Sequence, residues 1–161
     1  MKRFQMSILA ICFLILGLCP AGLAQDEETQ RQLGTALSLT KQAVALGNAG
    51  RYDEAIPLAE QVLQIVEKAF GVEDVTVSIA VKLVADFCQA KGDYVKAEPL
   101  FKRALNIREK VLPADDWLIA ESLQDLGTLY DNMGNYREAE LRFKRAQGIG
   151  EKKLGHDHLA L

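Results

Sequence analysis

The sequence predicts an all-α fold, an α-solenoid of three helix-turn-helix repeats. Three observations predict it. Gly50, Tyr52 and Ala55 recur as Gly92, Tyr94 and Ala97, and again as Gly134, Tyr136 and Ala139, a fixed interval of 42 residues. The register persists downstream, where Ile65, Ile107 and Ile149 align, and 12 of 21 positions from Gly92 and from Gly134 are identical. Apolar residues between the glycines recur every three or four positions, the signature of helices that bury one stripe. A unit of this length covers its apolar face only by stacking on its neighbours.

Residues 1–24 stand apart from the fold. Lys2 and Arg3 give a positive start, Met6 to Leu18 is an apolar run of 13 residues, and Pro20 breaks it ahead of Gly22-Leu-Ala24. That layout reads as a secretory signal cleaved after Ala24. A membrane span needs about 20 apolar residues, so no stable span is expected. The expected location is periplasmic or secreted. Cys12 and Cys19 leave with the signal, so Cys88 is alone and an intramolecular disulfide is excluded. The remaining 137 residues carry 17 basic and 22 acidic side chains. Nothing resembles a basic patch, and a nucleic-acid partner is not expected.

Residues 25–31 read as a lead-in to the first helix, followed by repeat 1 at 32–73. Repeat 2 spans 74–115. Asp74 is a candidate N-cap for a helix running to about Lys91, and Gly92 ends it because a left-handed residue after a helix is cheapest as glycine. Tyr94 opens the second helix, with Ala97, Leu100, Phe101, Ala104, Leu105, Ile107 and Val111 as its buried stripe. Lys96, Lys102, Arg103, Arg108 and Glu109 fall outside that stripe and are expected in solvent. Pro57 and Pro99 are placed near helix starts, where a missing amide costs least. Pro113 closes the unit, where the other copies have Gly71 and Gly155.

Repeat 3 spans 116–157, and 158–161 would begin an incomplete further repeat. Ala43, Ala85 and Gly127 precede each glycine turn by seven positions, and Ala55, Ala97 and Ala139 follow it by five. Small residues there let two helices approach closely, with Phe101 and Phe143 filling the space below. Tyr52, Tyr94 and Tyr136 are read as packing residues, as is Cys88, whose counterpart in the third copy is Tyr130.

The paired-helix unit with a small residue, Gly-x-Tyr and then Ala resembles the tetratricopeptide repeat. The 42-residue period and the strings GDYVKAEPLFKRALNIREKVL and GNYREAELRFKRAQGIGEKKLGHDH are similar to its kinesin-light-chain-like subtype. The resemblance runs from about Gln32 to His158. It implies a right-handed superhelix whose concave face is lined by the first helix of each pair, a groove that usually holds a peptide segment of another protein. The chain departs from the subtype in its first helix, where Gln42 takes a position usually apolar. It departs again where Lys82-Leu83 and Gln124-Asp125 replace an asparagine pair. With a secretion signal, the likeness transfers a shape and not a motor-subunit role.

No chemistry-bearing constellation appears, so no catalytic residue, cofactor or metal is assigned. Phosphate-cradling glycine loops, H-E-x-x-H and paired-cysteine spacings are all absent. His156-Asp157-His158 offers half the ligands of a closed zinc site, and the subtype carries Asp-His at this turn for structural reasons. Glu67, Glu109 and Glu151, each followed by lysine, read as solvated surface charges. The expected function is therefore an exported adaptor or scaffold that is not an enzyme; the alternative is the repeat portion of a longer multidomain protein. Groove positions lie ten, six, three and two residues before each glycine turn. The candidates are Thr40, with Val44, Gly47 and Asn48, in the first copy. The second contributes Lys82, Asp86 and Gln89, with Ala90, and the third Gln124, Thr128, Asp131 and Asn132. The last helix, Tyr136 to about Lys153, has no successor, and Gly148 and Gly150 weaken it. Phe143, Ile149 and Leu154 are expected to be partly exposed, with self-association through this end or fraying from Gln147.

Overall fold

The computed structural model describes residues 27–158, with side chains as far as Glu151. The expected signal and its cleavage point lie outside the described residues, as do the side chains of Leu154 and of the His156–His158 cluster. Six helices follow one another: α1 (Glu27–Asn48), α2 (Tyr52–Phe70), α3 (Val75–Lys91), α4 (Tyr94–Val111), α5 (Trp117–Asn132) and α6 (Tyr136–His158). Among the described residues there is no strand. Each helix packs on the next, giving an all-α solenoid of three pairs. No described helix is long and apolar enough to cross a membrane.

The turns form as the local chemistry requires. Gly50, Gly92 and Gly134 have φ of 75°, 87° and 75°, the left-handed region where a side chain would strain the backbone. Asp74 caps α3 by accepting from the Thr76 amide at 2.7 Å, and Asp116 caps α5 by accepting from the Leu118 amide at 2.8 Å. Ala43, Ala55, Ala85, Ala97, Gly127 and Ala139 are all buried at the close approaches within pairs. Cys88 is buried, and burial pushes its thiol pKa up, as befits a core residue.

Several expectations need correction. Helix α1 starts at Glu27, so most of the supposed lead-in is already helical. Pro57 and Pro99 sit in the second turns of α2 and α4, not at their starts, and both are exposed. Gly155 does not close the third unit: α6 runs on to His158. Tyr52 and Tyr94 pack against the core, but Tyr136 is 70% exposed, because no described helix covers its side of α6. Phe143 is exposed as expected, whereas Ile149 is buried with Ala139 and Ala146 on the inner face of α6.

The largest correction is Arg108. Its side chain is buried rather than solvated, at 1% exposure. It joins three helices. Nε donates to Ser78 Oγ of α3 at 3.1 Å, and Nη1 donates to Ser122 Oγ at 2.7 Å and the Leu118 carbonyl at 2.8 Å. The same nitrogen meets Glu121 at 3.0 Å, so the buried charge is both paired and hydrogen-bonded.

Candidate functional site

The first helices α1, α3 and α5 carry the register positions expected to face a groove. Their environments differ by repeat. In α1 the expectation fails: Thr40, Val44 and Gly47 are buried. The Thr40 hydroxyl turns back to donate to the Ala36 carbonyl at 2.8 Å. Over Gly47 lies the Phe87 ring of α3, so close that a Cβ at Gly47 would overlap it. Among these four positions, only Asn48 reaches solvent freely.

In α3 and α5 the same positions are accessible. Gln124, Asp131, Asn132 and Ala90 are exposed, and Gln89 and Thr128 are half-buried. The Thr128 hydroxyl donates to the Gln124 carbonyl at 2.9 Å, leaving the Gln124 amide outermost. Lys82 and Asp86 are held lower down, among packed side chains. Lys82 Nζ donates to both carboxylate oxygens of Asp86 at 3.0 Å and lies 3.0 Å from Asp125 Oδ2 on α5. The ammonium also sits 5.9 Å from the centre of the Phe101 ring. Thus one lysine ties the second repeat to the third across two carboxylates.

The charges in this node are unequal. Burial raises the pKa of Asp86 to about 6; Lys82 pulls it down, while Asp125 and Glu121 push it up. For Lys82, burial works against the charge, yet Asp86, Asp125 and Glu121 together hold its pKa above the ordinary lysine value. Asp125 Oδ2 is buried and lacks an aligned hydrogen bond, although the ammonium is at ion-pair distance. Arg108 reaches the same cluster through Glu121.

Register reading found Lys82 and Asp86 but gave no role to Asp125, Glu121 or Arg108. A signal was present. The two places where the asparagine pair is replaced bring a positive group in one repeat and a negative one in the next, so the departures compensate each other. Nearby, the Tyr130 hydroxyl donates to Glu98 Oε1 of α4 at 3.0 Å, and Lys102 approaches the same oxygen at 2.7 Å. Among the described residues no cluster of His, Cys, Asp and Glu is arranged to hold a metal ion.

Comparison with known proteins agrees with this architecture. Tetratricopeptide-repeat family models match two consecutive stretches, residues 35–75 and residues 76–152. The chain belongs to the tetratricopeptide-repeat proteins. Among solved structures it is similar to BtubC (BKLC) from P. vanneervenii, with a TM-score of 0.67 and 18% identity, a likeness of fold. The match covers 94% of this chain and 57% of that one, so the chain spans little more than half of its solved neighbour. No curated protein matches.

Proposed function

We propose that the chain is an exported protein-interaction module that holds an extended segment of a partner against α3 and α5, without chemistry of its own. The repeats make it a protein-binding scaffold by class. The observation that carries the finer reading is the accessible polar strip of α3 and α5. Gln89, Gln124, Thr128, Asp131 and Asn132 stand around a floor fixed by the Lys82–Asp86–Asp125 node. Amide and carboxylate groups there can meet a peptide backbone, and the node removes the freedom that binding would otherwise cost. The first repeat, with Thr40 and Val44 buried, supports the groove rather than lining it.

Export rests on residues 1–24, whose basic start, apolar run and small residues form the layout of a cleaved signal. Expression with the natural N-terminus and N-terminal sequencing of the released protein tests it. A mature start at Gln25 supports export, and an intact Met1 on cell-associated protein contradicts it.

For binding, affinity capture from extracellular or periplasmic extract should use variants that leave the node intact. Gln124→Ala with Asp131→Ala alters two exposed side chains and should weaken capture of a true groove partner by tenfold or more. Partners held with undiminished affinity would place binding elsewhere.

A further inference from the structure

The Lys82 node has no counterpart at the first junction. There the matching register positions are Thr40, Val44, Ile79 and Leu83, all buried and none charged. At the second junction they become Lys82, Asp86, Glu121 and Asp125, so four ionisable side chains enter together. Uncharged residues close the first junction, and the stack therefore does not require charge at these positions. Taking charges out of water costs free energy that well-packed apolar residues would not. The node therefore calls for a reason other than packing.

Its charges are unbalanced. Three carboxylates, Asp86, Asp125 and Glu121, gather about two cations, and Arg108 of α4 takes Glu121. Lys82 is left between the other two. Its ammonium donates to both Asp86 oxygens on its own helix, and stands 3.0 Å from Asp125 Oδ2 on α5 without an aligned hydrogen bond. That Asp125 oxygen is buried, an acceptor short of a donor. The Phe101 ring of α4 lies over the ammonium, and on the side of the first repeat Thr40, Val44 and Gly47 bring no charge. One added proton would cancel the surplus negative charge and free a lysine donor for the unsatisfied oxygen. Asp86 is where it enters: burial strengthens its hold on a proton, Lys82 opposes this, and Asp125 and Glu121 add to it. Its side chain is 18% exposed, enough for water to deliver the proton.

We propose that the node is a proton-operated tie between the second and third repeats: a proton on Asp86 moves the Lys82 hydrogen bonds from that carboxylate to Asp125 on α5. A neutral carboxyl is a weaker acceptor than a carboxylate, so the ammonium's strongest bonds follow the remaining charge. The balance is simple. Asp86 takes one proton from solvent, the ammonium keeps its three, and the only covalent bond made is the new O–H. Before the exchange the aligned lysine donors serve a contact within α3, which steadies one helix and joins nothing. After it the same donors cross the junction. The second repeat is then fastened to the third more firmly in mild acid than at neutral pH, the reverse of the usual loss of ion pairs on acidification. The window is set by Asp86, whose carboxyl titrates at about 6. The tie needs nothing in the groove, and it stands or falls without a partner.

Nuclear magnetic resonance on the unmodified chain tests the exchange directly. Couplings across hydrogen bonds from Lys82 Nζ should reach Asp86 Cγ at pH 7.5 and Asp125 Cγ at pH 5, with the Asp86 carboxyl resonance moving between the two. A lysine nitrogen still coupled to Asp86 alone at pH 5 would overturn the proposal. The strength of the tie is read by a double-mutant cycle of Lys82→Met and Asp125→Asn, using urea unfolding at both pH values, so that titrations elsewhere in the chain cancel. Expressed as a ratio of unfolding constants, the coupling should be about threefold or more larger at pH 5 than at pH 7.5. In an Asp86→Asn background, which stays neutral throughout, it should be large at both. A parent coupling that is equal at the two pH values, or larger at pH 7.5, would show that Lys82 does not change partners.

Discussion

The two junctions between repeats solve the same packing problem with opposite chemistry. At the first, Val62 and Val66 of α2 meet Val77, Ala80 and Val81 of α3 in an apolar cluster. At the second, the position of Val66 is held by Arg108, bonded to Ser78, Leu118, Glu121 and Ser122. The exchange is possible because the surroundings changed with it: the register partners of Ser78, Glu121 and Ser122 in the preceding repeat are Ala36, Ile79 and Ala80. One register position thus reads Val66, Arg108 and Gly150 along the chain: a dry junction, a wired junction and an exposed position on α6. Sequence identity between repeats therefore reports the helix geometry, while the positions that differ report what each junction is made of.

Importing the wired residue into the dry junction gives the largest expected effect. Val66→Arg would bury a guanidinium where Ala36, Ile79 and Ala80 offer no side-chain acceptor. An uncompensated buried charge costs about 3–5 kcal/mol, a large part of the 5–15 kcal/mol that holds a domain together. Urea denaturation followed by circular dichroism should show the midpoint falling sharply, or a protein unable to fold. A loss below about 1 kcal/mol would mean that the arginine escapes to solvent, and that the first junction is looser than its packing indicates.

The reverse exchange, Arg108→Val, should cost somewhat less, about 2–4 kcal/mol, because it strands Ser122 and Glu121 without burying a charge, while the Ser78 hydroxyl keeps its bond to the Val75 carbonyl. Its damage should be local to α5 and α6. Amide exchange should rise there more than in α1 and α2. Adding Ser78→Ala and Ser122→Ala, which restores the apolar pattern of the first junction, should recover part of the loss. If the triple variant were no better than Arg108→Val, Ser122 would not be a group left unpaired.

Much of this was legible without coordinates. The glycine turns, the alternation of helices and the small residues at close approaches follow from period and spacing, since backbone geometry allows few other residues there. Arg108 and Tyr136 were not legible, for a common reason. Helical periodicity says which residues share a side of a helix, but whether that side is covered depends on the neighbouring pair. Arg108 borders the stripe of α4 and is buried by α5; Tyr136 occupies a packing register that no described helix faces. Gly47 was misread likewise, because the Phe87 ring of the next repeat closes over it.

The charged node in α3 and α5 extends the comparison to pH, since the packed cluster of the first junction is apolar. The Asp86 carboxyl is raised from its ordinary range to about 6, chiefly by burial. Between about pH 4 and pH 6 the folded chain keeps a proton that the unfolded chain has released. This group therefore lowers stability as pH rises through that window, and stability stays lower above it. Asp86→Asn, which cannot lose that proton, should fare better relative to the parent at pH 7.5 than at pH 4. Parallel urea titrations at the two pH values check it. An equal effect at both would show that the carboxylate carries its charge at ordinary cost.

Glycines at closed and open sites give the smallest and most local contrast. At Gly47 an added Cβ would meet the buried Phe87 ring, so Gly47→Ala should lose about 1–3 kcal/mol by overpacking despite alanine's better helix propensity. At Gly150 the same substitution enters empty space, and only the backbone term remains, up to about 1 kcal/mol in favour of alanine. That gain falls on the last turns of α6, where no described helix packs over Gly150, so global denaturation will barely register it. Amide exchange from Gln147 onward will. In the parent these amides should exchange much faster than those of Tyr136 to Ala146, and Gly150→Ala should slow them severalfold, measured dilute enough to keep the chain monomeric. Strong parent protection over Gln147 to Glu151 in a proven monomer would mean that something within the chain caps this end after all.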